Sequence, residues 1–541
     1  MKASRQKQRR ARGVPETAQQ ALGLEEGAGE PERVGAEGPQ PAVQFQEGTR
    51  RLYVGGQRLE QYLEERGLKA VRVLKQLMEQ LDFSAFEAAY KPGGRPPLHP
   101  RVVLSLIIYG MHVRQWSLRE LEQLAVRDVG AWFLCGGLQP DHSTVGKFVV
   151  RHQELLSDEF FVSASRQLAS KLGLKPGEAA ADGTVIEAAA SLRSLAKKEV
   201  LEAEAAAAKE EARAAAVAPE AAQAQSAPEA TAQQAVLEKK AQCLEQAVAI
   251  ATQRAFARAE RGESPPQLSR QEPEAVNQPG KDGRYCLSYK PSVLVLSSRF
   301  ILGQAVHPSS EVEVLEDLLK RGQQVQVPWL SLALDKGYFE FRVLQLAVKL
   351  ELDLLCPPER QQRNAQGVPM TSKGLFAKAA FPYDSQQDVY RCPAGHTLRP
   401  GQWKVEKDTQ LRLRHYSTPA CTTCPLRAQC TSSARAPRRI GRYEGQELKE
   451  AMAQVFEHPQ ARARYARRSH IVEPVFAHLK ERQGLKRFHR RGLKGARLEF
   501  SLHCLAFNLQ RAVLGVSVLA VRWHLPSGDV LVFCLATLRF F

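Results

Sequence analysis

The sequence predicts an α/β protein: a mixed-sheet core, an all-α domain ahead of it, and a helical insertion within it. Three observations carry this. Short β-like apolar runs alternate with helical patterns between about residues 175 and 360. From about 50 to 170 the apolar residues recur at helical spacing instead. From 188 to 284 the composition shifts to Ala, Glu, Gln and Lys with only a thin apolar stripe.

The helical domain spans 50–170. Leu59, Leu63, Val71, Leu74, Leu77, Met78 and Leu81 share a helical face, and the Lys91-to-Pro97 stretch breaks the pattern. A new helix opens at Pro100 with Val102, Val103, Leu106, Ile107 and Met111. Ser117 and Glu120 have capping-box spacing ahead of Leu121 and Leu124. Pro140-Asp141-His142-Ser143-Thr144 starts a further short helix. Short helices joined by Gly-bearing turns and carrying Arg119, His142 and Lys147 suit a helix-turn-helix DNA reader, and equally a plain packing domain.

The core is expected in pieces, 175–187 and 285–360 first. Ala179–Ile186, Ser292–Leu296 and Phe300–Val306 read as strands, and Val312, Leu315, Leu318 and Leu319 as a helix. Leu330–Leu334 is a further strand, and a helix leads from it into Leu352–Cys356. The intervening 188–284 reads as exposed helices or a partly disordered insertion, closed by Ser264-Pro265-Pro266. A Cys-bearing insertion is expected over 361–445, and the end of the core, with a basic helix, over 446–515. Residues 1–48 read as a disordered basic tail, and 516–541 as a tail to which no role is assigned.

Length and charge bound the function. A chain of 541 residues holds two to four domains, at about 100–200 residues each. With 43% apolar residues it can bury a sizeable core. Lys and Arg number 76 against 58 Asp and Glu, a formal net charge of +18 that favours a polyanionic partner. The ten Cys are scattered, and no apolar stretch follows the basic start, so a secreted disulfide framework is not expected. The run Ala512–Val521 stops at Arg522, short of the roughly 20 residues a spanning helix needs. The expectation is a cytoplasmic, nucleoid-associated protein with no membrane partner.

Three constellations carry chemistry. Asp182 ends a small-residue strand, Asp335 ends the apolar strand Ser331–Leu334, and Glu473 lies just ahead of a strongly basic segment. Acids held at strand ends can converge on a pair of Mg²⁺ ions, because hard divalent cations prefer carboxylate oxygens. Taken singly, each also reads as a cap or turn residue. The second constellation is electrostatic: residues 461–500 hold twelve Lys and Arg against three acids. Phe476, Leu479, Leu485 and Phe488 interleave with the cations, giving a core side and a phosphate side, and Lys480 follows Glu473 by two helical turns. A solvated basic helix is the alternative. The third is Cys421-Thr422-Thr423-Cys424 with Cys430 and the distant Cys392, a candidate structural Zn²⁺ site with His396 and His415 as substitutes. Reduced, metal-free thiols remain the alternative. Cys135, Cys243, Cys286, Cys356, Cys504 and Cys534 read as packing residues.

Three patches together resemble the transposases of bacterial insertion sequences, of the DDE type with an RNase H-like catalytic core. They are the helical stretch through Trp116–Glu122 and Pro140–Thr144, the motif Leu334-Asp335-Lys336-Gly337-Tyr338, and the signature Tyr465, Arg468, Glu473, Lys480, Gly484–Phe488, Arg491-Gly492 and Phe507-Asn508-Leu509. The Cys392–Cys430 cluster is similar to the cysteine-bearing insertion of one subgroup. In the subgroup with the tightest signature an Arg precedes the Glu by four residues, where this chain has Ser469.

The resemblance implies an enzyme that uses Mg²⁺ (or Mn²⁺) to cleave DNA at the inverted repeats ending its element and then joins the 3′-OH to target DNA. Asp182, Asp335 and Glu473 would be both catalytic residues and metal ligands. Tyr465, Arg468 and Lys480 would contact the DNA end, with Arg467, Lys486, Arg487, Arg490 and Arg491 of the basic segment beside them. Residues 97–152, with Arg119, His142 and Lys147, would help recognise the ends. A homodimer on double-stranded DNA is implied. The alternatives are a catalytically inactive DNA-binding derivative, a standalone metal-dependent nuclease, and a zinc-dependent interaction module.

Overall fold

The computed structural model describes residues 43–93, 95–217, 227–260, 262–280, 283–358, 362–406, 411–433 and 435–522. Most of the expected basic tail (1–42) and the end of the C-terminal tail (523–541) lie outside the described residues. The protein is mixed α/β. It divides into two compact units, residues 1–330 with 469–541, and residues 331–468.

In the first unit the helical domain forms as its periodicity requires. Helices Leu59–Glu65 and Lys69–Glu79 bury the expected apolar face. Pro100–His112 begins on a proline at its first turn, where the missing N–H costs nothing, and His99 caps it by accepting from the Arg101 N–H at 3.0 Å. This helix is apolar all round and buried from Val102 to Met111, so it is the axis on which the others pack. The capping box forms: Ser117 Oγ accepts from the Glu120 N–H, and Glu120 accepts from the Ser117 N–H. Asp141 likewise caps His142–Arg151, accepting from the Thr144 N–H at 2.6 Å.

The sheet of this unit is built around one long strand, Tyr285–Leu296. It pairs antiparallel with Gly177–Gly183, which sets Asp182 opposite Val293, and with Ile301–His307. Ile186–Glu187 and Val276–Pro279 also pair with it. The core therefore resumes at Val276 rather than 285. Val276–Pro279 alternates half-buried and exposed residues without an apolar run, so sequence patterning does not mark it.

The last helix, Gly492–Arg522, buries Phe500, Leu502, Leu505 and Leu509. Its Asn508 accepts from the Ile301 N–H at 2.9 Å, donates to the Ile301 carbonyl at 2.8 Å, and donates to Ser165 Oγ at 3.1 Å. A fully buried amide survives there because it satisfies the backbone of Ile301 in a strand paired on one side only, with Tyr285–Leu296.

The insertion is more ordered than its composition suggests. Helices Lys198–Val217 and Ala227–Ala259 share a buried cluster of Leu201, Ala205, Ala208, Leu244, Ala247 and Ala251. Alanine lets the helix backbones approach closely, so a thin stripe suffices. The pairs Lys209–Glu245 (2.9 Å) and Lys240–Glu211 (3.0 Å) bridge the two helices. The return segment is fastened by Glu272, fully buried, which accepts from the Ala190 N–H, from the Gly492 N–H at 2.8 Å and from Tyr289 Oη at 3.3 Å.

In the second unit Leu332–Ala333 pairs in parallel with Leu354–Leu355. Helix Phe341–Lys349 lies between these strands in sequence. Where the Cys-bearing insertion is expected, five antiparallel strands form in the order Tyr383–Asp384, Val389–Arg391, Thr397–Val405, Arg412–Ser417, Ile440–Tyr443. Phe376, Phe381, Tyr390, Leu398, Tyr416 and Ile440 are its core. Helices Gln446–Glu457 and Pro459–Ala466 follow. Among the described residues no helix is long and apolar enough to cross a membrane.

Candidate functional site

In the first unit the structure brings two of the acid-bearing segments together. Asp182 is the penultimate residue of its strand, half-buried, and one carboxylate oxygen accepts from the Gly183 N–H at 2.9 Å. The strand end is tightly packed. A Cβ at Gly183 would come within 2.7 Å of Glu311 Oε2 and 3.0 Å of Ser292 Oγ, so only glycine fits without displacing Glu311. Glu311 is in turn held by Lys290 at 2.6 Å.

Glu473 is exposed on the helix Arg468–Ala477, whose inner face buries Val472, Val475 and Phe476. Pro474 sits inside this helix, and four residues later the helix widens into a π turn, His478–Arg482. Such turns move a side chain off its helical register. Here the turn carries Lys480, whose Nζ donates to Thr184 Oγ1 at 2.7 Å and to the Val185 carbonyl at 3.0 Å. The Glu473-bearing helix is thereby tied to the segment that immediately follows Asp182.

The next segment is tied as well. Glu187 N–H donates to the Lys486 carbonyl at 3.2 Å, and Phe488 N–H donates to the Glu187 carbonyl at 2.9 Å. Arg487 donates to the carbonyls of Ala188 (2.9 Å) and Ala189 (2.6 Å). Below it, Glu499 is buried and accepts from the His489 and Arg490 N–H groups (3.0 and 2.9 Å) and from Trp116 Nε1 at 3.3 Å. Burial pushes the Glu499 carboxyl up from its ordinary value, while these donors pull it back. Trp116 stacks on His489 with centroids 4.8 Å apart.

In the second unit Asp335 follows its strand directly and caps a short 3-10 turn, accepting from the Lys336 N–H at 2.7 Å. The Cys356 thiol donates to the Asp335 carbonyl at 3.4 Å. Burial first, and the Asp335 charge second, push that thiol up to about 12, while Arg468 and Lys449 pull it down. Arg468 is buried rather than offered to solvent. Tyr465 meets the Phe456 ring edge-on at 5.3 Å, and Arg464 pairs with Asp353 at 2.6 Å.

The basic residues divide by what they touch. Lys480 and Arg487 are committed to protein contacts, and burial lowers the Arg490 pKa. Lys486 pairs with Glu481 at 3.2 Å, with both side chains well exposed. Arg467 and Arg491 are exposed, as are Arg119 and Lys147 in the helical domain. His142 is exposed but pairs with Glu122 at 2.9 Å.

Cys392, Cys421, Cys424 and Cys430 line one cavity in the second unit, and the His396 N–H donates to Cys392 Sγ at 3.3 Å. Among the described residues, however, no three His, Cys, Asp or Glu side chains are grouped so as to hold a metal ion. Of the residues read as packing cysteines, Cys135, Cys356 and Cys504 are buried, and Cys243 and Cys286 partly so. Sequence reasoning missed Thr184, Lys290 and Glu311, because a hydroxyl two residues past an acid and a lone Lys/Glu pair carry no motif.

Residues 58–151 match the Transposase domain (DUF772), and residues 391–513 match the Transposase DDE domain. Glu473, Lys480 and the four cysteines fall inside the second match, whereas Asp182 and Asp335 lie outside both. No curated protein matches the chain.

Proposed function

We propose that this chain, an insertion-sequence DDE transposase by its two matched domains, cleaves DNA at its element's ends and joins the freed 3′-OH to target DNA. Its catalytic core is RNase H-like in this reading. The strand-end acids Asp182 and Asp335, with Glu473 on a helix after them, are its catalytic residues. One observation supports this most strongly: Lys480 fastens the Glu473-bearing helix to the residues next to Asp182.

The acids are the residues that would hold Mg²⁺ or Mn²⁺, since carboxylate oxygens suit hard cations. Bound there, the ions would activate water and then the 3′-hydroxyl for in-line attack on a phosphodiester, and stabilise the leaving oxygen. The chain's own groups do the positioning. The Gly183 N–H and the packing of Glu311 against Gly183 fix the Asp182 carboxylate at its strand end. The Lys336 N–H orients Asp335. Exposed Arg467, Lys486 and Arg491 contact DNA phosphates, with Tyr465 beside the end. Cys392, Cys421, Cys424 and Cys430 line one cavity, but among the described residues they are not grouped so as to hold a metal ion, so no zinc role is assigned to them. The partner is double-stranded DNA, engaged by a homodimer.

Incubation with a labelled duplex carrying the element's own end, in Mg²⁺, should give a nick at the element boundary followed by joined product. Glu473→Gln protein should bind the duplex and give neither. Cutting without joining would favour the nuclease reading, and binding without cutting by the unaltered protein would favour the inactive derivative.

A further inference from the structure

The helical domain, expected to help recognise the element ends, holds a cationic groove around Lys147. It has a volume of about 440 Å³ and is lined by Tyr90, Arg95, Pro96, Lys147, Phe148 and Arg151 among others. Lys147 and Arg151 are four residues apart on helix His142–Arg151 and so project from one face. Val145, Phe148 and Val149 of the same helix are buried, which holds it in place.

Arg95 approaches from the other wall, just before a segment that Gln46 holds. Gln46 pins that segment through three bonds: its N–H to the Pro97 carbonyl (2.8 Å), its Nε2 to the Pro96 carbonyl (2.7 Å), and its carbonyl to the His99 N–H (3.0 Å). Two consecutive prolines limit the segment further. Arg151 is positioned by a ring rather than by an acid, its guanidinium lying 4.7 Å from the Tyr90 centroid. Tyr90 is itself held by His152 Nε2 at 3.3 Å and by the edge of Phe45.

Charge decides what this groove can take. Among the described residues, no carboxylate lies within ion-pair distance of Arg95, Lys147 or Arg151. The lone acid on the rim, Asp141, is spent on capping, accepting from Thr144 N–H and from Ser143 Oγ at 2.8 Å. Three pre-positioned cations against one occupied anion make a site for an anionic, extended ligand. The chain's net charge of +18 and its proposed DNA partner fix the class.

We propose that Arg95, Lys147 and Arg151 form a phosphate-binding groove that seats the sugar–phosphate backbone of duplex DNA. The proposal rests on the transposase reading and assigns Arg95, Arg151 and Tyr90 a role that reading leaves open. The contacts fix the position of the helical domain on the duplex and carry no base sequence themselves. Tyr90 is a positioning residue that acts through Arg151.

The test is fluorescence anisotropy of the full chain with a short end-bearing duplex over a range of salt. Lys147→Gln/Arg151→Gln and Arg95→Gln proteins are compared with Arg58→Gln, an exposed charge removed elsewhere in the same domain. The double variant should lower the slope of log K against log salt by about 2 and weaken binding roughly 10-fold or more at low salt. Arg95→Gln should lower the slope by about 1, and Tyr90→Leu should weaken binding without changing it by a full unit. Unaltered thermal midpoints confirm that each variant is folded. If the unaltered chain binds DNA but the double variant matches Arg58→Gln, the groove proposal fails and the transposase reading stands. If the unaltered chain binds no duplex at all, the transposase reading fails first. Millimolar inorganic phosphate protecting the domain thermally, with no loss of DNA affinity in the variants, would make this a small-anion site and overturn the proposal.

Discussion

Two basic regions of this molecule look alike in sequence and differ in structure. Residues 461–500 carry twelve cations, yet Lys480 and Arg487 hold the protein together, on Thr184 and Val185 and on the Ala188 and Ala189 carbonyls. The helical domain is sparser in charge, but Arg95, Lys147 and Arg151 converge on one groove without carboxylate partners among the described residues. Charge density therefore overstates the first region and misses the second. A cation serves a polyanion only when the fold does not already use it.

The largest effect expected is chemical. Asp182→Asn and Asp335→Asn should each reduce strand cleavage on the order of 10³-fold or more, measured as boundary nicking at saturating DNA. A loss below tenfold in either would remove that acid from the catalytic set. Next comes the structural use of Lys480. Lys480→Met forfeits two charge-assisted hydrogen bonds and should lower unfolding stability by about 2 kcal/mol, read from the denaturant midpoint. Arg487→Gln should behave likewise, with almost no change in the salt slope of DNA binding. A slope change as large as that of the Lys147→Gln/Arg151→Gln protein would erase the contrast between the two regions.

A smaller effect concerns pH. Burial depresses His112 and His503 to about 3, and His478 and His152 to about 4. Unfolded histidine titrates near 6.5. These rings stay neutral in the fold while the unfolded chain takes up protons, so their contribution to stability is full above about 6.5 and is lost as pH falls toward 4 to 3. Thermal midpoints should drop across that window, and His503→Gln should flatten the decline. A flat profile between pH 6.5 and 4 would mean the rings are hydrated. The mildest test is Gly183→Ala, whose Cβ must push Glu311 aside. It should slow cleavage several-fold and leave DNA affinity unchanged.

Much of the fold is legible because local signals agree with the final packing. The Ser117/Glu120 capping box, the Pro100 helix start and the strands flanking Asp182 all form where the pattern sets them. Three features are not legible, each for a physical reason. Val276–Pro279 joins the sheet through backbone bonds with no apolar run to announce it. The Ala-rich helices pack through close backbone approach rather than through large side chains. The strands between Tyr383 and Tyr443 are rich in Arg, and Pro400-Gly401 falls at a register shift in one of them, which blurs the two-residue period. For the candidate site, the acids and Lys480 are readable from motif and resemblance. What each cation touches is not, since Arg487 and Lys147 differ only in their distant partners.

The central claim is that the acids do chemistry while uncommitted cations hold DNA. Its most direct test is one titration series on a single end-bearing duplex, measuring affinity and boundary cleavage for the unaltered and Asp335→Asn proteins. The account predicts affinities within twofold and cleavage only by the unaltered chain. Equal loss of affinity and cleavage in Asp335→Asn would make that acid structural and contradict the account.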